Sequence, residues 1–83
     1  MMKLNANEKN LLRKNLNLSE RQAQIVELLL DGIDDTEEIA QVLGNSPSTV
    51  KTILHIIYKK TRKTSRVQLV IAAIDAIQAS NHS

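Results

Sequence analysis

The chain has 83 residues and a formal net charge of +2, room for one small domain and no second core of any size. It has no cysteine and two histidines, which excludes a disulfide framework, a thiolate zinc site and a cysteine nucleophile and leaves metal chemistry little to work with. With one aromatic residue, two glycines and one proline, it is too poor in turn formers and aromatics for a sheet, and the expected fold is all-α.

In chain order, Asn5-x-x-Glu8 opens a short helix that runs to Leu16, with Leu4, Leu11, Leu12 and Leu16 as its apolar residues. Its asparagines make it marginal alone. Ser19-Glu20-Arg21-Gln22 is a capping box; the helix it starts carries the stripe Ile25, Leu28 and Leu29 and stops at Gly32. Asp35-Thr36-Glu37-Glu38 starts a second, with Ile39, Ala40 and Leu43 inward and Gly44 at its end. Ser46-Pro47 sets a capping hydroxyl before a proline whose fixed φ and missing N–H suit the first helical position. A third helix therefore begins at Pro47, with Val50, Leu54 and Ile57 as its stripe. Ser65-Arg66-Val67-Gln68 opens a fourth, with Val67, Val70, Ile71 and Ile74 toward the core. The expected plan is an N-terminal extension with a short helix over residues 1–17, a four-helix domain over 18–78 and a flexible polar tail, including His82, over 79–83.

Charge is unevenly placed. Residues 1–44 hold five basic side chains against eight acidic ones, whereas residues 45–83 hold six basic side chains against Asp75 alone, and all six fall between Lys51 and Arg66. A local basic block inside a nearly neutral chain is the footprint expected for a polyanion, although a solvated helix face carries the same pattern. No apolar run approaches the roughly 18 residues that span a bilayer, and the polar start MMKLNANEKN lacks the apolar stretch of a signal peptide. A cytoplasmic location without a membrane partner is the expectation.

Thr36 to Thr61 is laid out as a short helix, a turn at Gly44-Asn45-Ser46 and a longer helix with its start exposed, which is the plan of a helix-turn-helix. The first helix braces the second, and the second can then lie in a major groove about 12 Å wide with its leading side chains toward base edges. Ser48, Lys51, Thr52 and His55 fall opposite Val50, Leu54 and Ile57. Lys51 can donate to guanine O6 or N7, Thr52 can offer a hydroxyl or a methyl to thymine, and His55 can donate or accept one turn later. Ser48 and Thr49 are near enough to the helix start to meet phosphate oxygens.

Leu18-Ser19-Glu20-Arg21, Ile39-Ala40, Ser46-Pro47-Ser48-Thr49-Val50-Lys51 and Arg66-Val67-Gln68-Leu69-Val70 together resemble the LuxR-type DNA-binding domain, also called the FixJ, NarL or GerE type, over roughly residues 18–75. The resemblance implies a four-helix domain, a third helix in the major groove and a fourth that pairs two subunits on a pseudo-palindromic site. By position it implies base contacts from Lys51, Thr52 and His55 and phosphate contacts from Ser48, Thr49, Lys59 and Lys60. Leu69, Ala73, Ala76 and Ile77 on the fourth helix, two of them small enough for close helix approach, are the expected dimer seam. The chain departs from the family pattern at Glu37, where a basic residue is usual, in its longer acidic loop Asp31 to Asp35, at Ile53 and Ile56, and at Thr61 and Lys63.

The expected protein is a sequence-specific regulator of transcription that binds double-stranded DNA as a homodimer, with no cofactor, no small-molecule ligand and no enzymatic activity. A receiver or ligand-sensing domain needs about 100 further residues, so an output domain alone is expected. The rival expectation is a protein-interaction module on the same scaffold, which binds another regulator or RNA polymerase through Ile53, Ile56 and the acidic stretch Asp31 to Glu38. In the first reading Ile53 and Ile56 belong to the core beneath Leu11, Leu12 and Leu16; in the second they form an exposed patch.

Overall fold

The computed structural model describes residues 3–79. Over them the chain forms five α-helices and no strand: α1 (Ala6–Leu16), α2 (Glu20–Leu30), α3 (Thr36–Leu43), α4 (Pro47–Thr61) and α5 (Arg66–Gln78). Of the tail expected over 79–83, all but Ala79 lies outside the described residues, and so does His82.

Every helix starts on a side-chain acceptor, because the first backbone N–H groups of a helix have no partner within it. Asn5, Ser19, Asp35, Ser46 and Ser65 accept from the N–H of Glu8, Gln22, Glu38, Thr49 and Gln68 at 2.8 to 3.3 Å. Glu8 and Gln22 return the bond to the cap N–H and complete two capping boxes. The capping boxes expected at Asp35 and Ser65 stay open, since no bond returns to the cap N–H from Glu38 or from Gln68. Gln68 Oε1 reaches past Ser65 and accepts from the N–H and the hydroxyl of Thr64, so the chain is pinned one residue before the cap.

The helix ends are less conventional. Gly44 takes the left-handed conformation that the sequence anticipates at the end of α3 (φ 69°), but α1 and α4 end on Asn17 (φ 56°) and Arg62 (φ 59°). A side chain with a Cβ in that region costs about 1–2 kcal/mol relative to glycine's freedom. Arg62→Gly is accordingly expected to stabilise the domain by about 1 kcal/mol, read as a higher urea midpoint at unchanged slope. A lower midpoint would mean that the Arg62 side chain makes a stabilising contact larger than the strain.

The core is one apolar cluster to which all five helices contribute: Leu12 from α1, Ile25 and Val26 from α2, Ile39 from α3, Val50 and Ile57 from α4 and Leu69 from α5 are fully buried. Helix α3 packs on α4, while α1 lies against α5 and α2. Asn15 Nδ2 donates to the Ala76 carbonyl at 2.7 Å and ties α1 to the last turns of α5.

Two expectations are corrected by this packing. Leu69, Ala73, Ala76 and Ile77, assigned to a seam between subunits, are buried within the protomer. The stripe expected to face the core has turned outward at Val67 and Ile71, which are 70% and 54% exposed, and Val70 and Ile74 are half-buried. Helix α5 is thus rotated by about a third of a turn from the sequence expectation: it is apolar over most of its circumference, and the side covered by α1 is the one that becomes interior. The second correction concerns Ile56, which stays 40% exposed, whereas Ile53 is half-buried against the core. The leucines of α1 are directed to α5 and α2 and do not cover Ile56.

Candidate nucleic-acid interface

Helices α3 and α4 meet at a tight turn built from local hydrogen bonds. The Gly44 N–H donates to the carbonyls of Ala40 and Gln41, and the Asn45 N–H donates to the Ala40 carbonyl at 2.9 Å. Ser46 then caps α4, Pro47 occupies its first turn, and buried Val50, Leu54 and Ile57 anchor its inner side. At about 100° per residue, Ser48, Lys51, Thr52, His55 and Lys59 share the opposite side of α4, and all five are exposed. The rigid core therefore presents one side of a 15-residue helix, free along its length, to solvent.

The side chains expected to work there are not equivalent. Lys51 and His55 line a shallow cleft of about 250 Å³ together with Thr36, Leu54, Tyr58 and Arg66. Thr52 donates its hydroxyl to the Ser48 carbonyl at 3.1 Å, which leaves its methyl group and an oxygen lone pair for a ligand. Ser48 and Lys59 lie on the same exposed side. Thr49 lies about a quarter turn away, and its hydroxyl shares a 2.9 Å hydrogen bond with that of Ser46. Lys60, expected at a phosphate, is instead turned back on its own protomer. Its Nζ donates to the Asn17 carbonyl at 3.0 Å and to Gln22 Oε1 at 2.9 Å, which ties the last turn of α4 to the connection between α1 and α2.

Sequence reasoning missed Arg66 and Thr36. Arg66 Nη2 donates to Thr36 Oγ1 at 2.7 Å, joining the first residue of α5 to the first residue of α3. The signal was present in the Ser65 cap, which places Arg66 at a helix start directly after the basic end of α4. No acid lines the cleft of Lys51 and His55: Asp35, Glu37 and Glu38 line a separate one with Gln41, Asn45 and Pro47, and Asp34 lines a groove on the other side of Arg66. Among the described residues no cluster of His, Cys, Asp and Glu could hold a metal ion, and no helix is long and apolar enough to cross a membrane.

A short bracing helix, a glycine turn and a longer helix exposed from its N-terminus define the class: a helix-turn-helix domain. The chain belongs to the bacterial regulatory proteins of the luxR family, whose GerE family model matches residues 16–73. That is a family of DNA-binding transcription regulators and not of enzymes, and the match covers the site from α2 through most of α5 while leaving nearly all of α1 outside. No curated protein and no solved structure gives a match.

Proposed function

We propose that the protein regulates transcription by sequence-specific binding to double-stranded DNA, with α4 in the major groove and two copies on a two-fold site. The observation that carries this reading is the unobstructed row Ser48, Lys51, Thr52, His55 and Lys59, a mixture of cations and hydrogen-bonding groups suited to phosphates and base edges. Lys51, Thr52 and His55 read bases, Thr52 chiefly through its methyl group. Ser48 and Lys59, with Thr49 at the helix start, meet phosphates. Pairing of copies falls to the outward side of α5, where Val67 and Ile71 leave an apolar surface that a second copy would cover.

Selection of bound sequences from a random duplex pool tests this reading. The expected result is a half-site repeated with two-fold symmetry at a spacing of about one helical turn. For four to six phosphate contacts per subunit, log K for the selected duplex falls with log salt at a slope of roughly −4 to −5 per subunit. No enriched sequence together with a flat salt response would sink the proposal. Exposed Ile56, a quarter turn from the reading side, favours a second contact there with a protein, and a partner that still binds after the DNA-reading side chains are removed is its signature.

A further inference from the structure

The cleft between α3, α4 and α5 holds a cation with an unmet valence. Arg66 Nε is buried and has no hydrogen-bond partner, and Arg66 makes no ion pair among the described residues. Guanidinium groups carry five N–H donors in a planar fork and no acceptor; Nε is out of solvent's reach, so the donors left for an anion in the cleft are those of Nη1, which is neither buried nor hydrogen-bonded. The fork is already oriented, because Nη2 is fixed on Thr36 Oγ1. The Thr36 hydroxyl, having accepted that bond, still has its own hydrogen to donate. Lys51 and His55 line the same cleft, and so does Tyr58.

We propose that this cleft seats one backbone phosphate of bound DNA, held by Arg66 and Thr36, and that this contact sets the register of α4 on the duplex. The proposal rests on the DNA-binding reading above and extends it to a residue outside the reading helix. Arg66 is suited to the task because planar N–H pairs match two phosphate oxygens. A phosphate fixed there lies beside Lys51 and His55, so the anchoring contact and the base-reading side chains are held in one geometry by three helices. Asp35, Glu37 and Glu38 line another cleft and Asp34 lines the groove on the other side of Arg66, whereas the cleft with Lys51 and His55 has no acid among its lining residues, which makes it the favourable approach for an anion.

The test compares Arg66→Gln, which keeps a donor for Thr36 but removes the charge, with Thr36→Val and the unmodified protein. Each is titrated with a selected duplex and a random duplex over a range of salt. The expected result for Arg66→Gln is the same loss of affinity on both duplexes, about threefold to tenfold per subunit, and a salt slope shallower by about 0.9 per subunit. Circular dichroism and the thermal midpoint confirm that the variants are folded. A readout independent of any variant is the Arg66 Nε–H resonance of the unmodified protein, expected to shift on addition of duplex and, weakly, of inorganic phosphate.

An unchanged slope in Arg66→Gln, with a steep one in the unmodified protein, overturns the phosphate seat and leaves DNA binding intact. A flat slope in the unmodified protein overturns the DNA reading itself. Asp34 lines the neighbouring groove with Arg66; a resonance that moves on Asp34→Asn but not with duplex also overturns the seat.

Discussion

Replacing Leu12 by alanine is expected to destabilise the domain by about 2–5 kcal/mol. Leu12 is 0% exposed and belongs to the same apolar cluster as Ile25, Ile57 and Leu69. Removing its side chain forfeits the transfer free energy of the buried methyl groups and opens a cavity in the core. For a domain of this size, each kcal/mol lowers Tm by roughly 4–8 °C, so a fall of at least about 8 °C is anticipated. Thermal and urea unfolding followed by circular dichroism measure it. The residue tested lies outside the family match, so the result decides whether α1 is an integral part of the cooperative unit. A change below about 0.5 kcal/mol, the range of ordinary surface substitutions, would show that α1 is detached in solution and that the inner side of α5 is covered by something else. A midpoint that rises with protein concentration would identify that cover as a second copy.

Removing Lys51 and His55 together is expected to remove most of the discrimination between selected and random duplex, leaving what the Thr52 methyl group supplies. A well-placed hydrogen bond to a base edge discriminates by about 1–3 kcal/mol, so the pair accounts for roughly a thirtyfold preference or more if both side chains read bases. Both are exposed and neither caps a helix, and the fold should be unaffected. Fluorescence anisotropy with the two duplexes provides the measurement. The contrast with Arg66→Gln is informative: removing a phosphate ligand weakens binding to all sequences alike, whereas removing a base reader lowers the preference. A double variant that keeps its preference would shift the reading role to Thr52 and Ser48, and one that binds DNA unchanged but no longer binds a protein partner would favour the interaction module.

Much of the site was legible because it is local. A capping side chain and the N–H it satisfies lie three residues apart, so Asn5, Ser19, Asp35, Ser46 and Ser65 announce five helix starts whatever the tertiary arrangement. The stripe of α4 is unambiguous as well, since Val50, Leu54 and Ile57 are apolar and Ser48, Lys51, Thr52, His55 and Lys59 are not, so one side must be buried and the other offered. Lys60 and Arg66 illustrate the limit. Both belong to the basic block, yet Lys60 is engaged by Asn17 and Gln22, residues about forty positions away, and Arg66 acquires its orientation from Thr36, thirty positions away. No spacing rule connects such partners.

The order of helices, their starts and the character of the exposed side of α4 were therefore determined by the sequence itself, through hydrogen bonds and periodicities only a few residues long. Which side of α5 became interior was decided by the tertiary structure alone. Val67, Val70, Ile71 and Ile74 are as apolar as Leu69, Ala73, Ala76 and Ile77, so periodicity could not choose between them. The choice came from α1, whose docking buries Leu12 against one side and leaves Val67 and Ile71 in water. Burial is a property of what an element is covered by, and that cover comes from the opposite end of the chain.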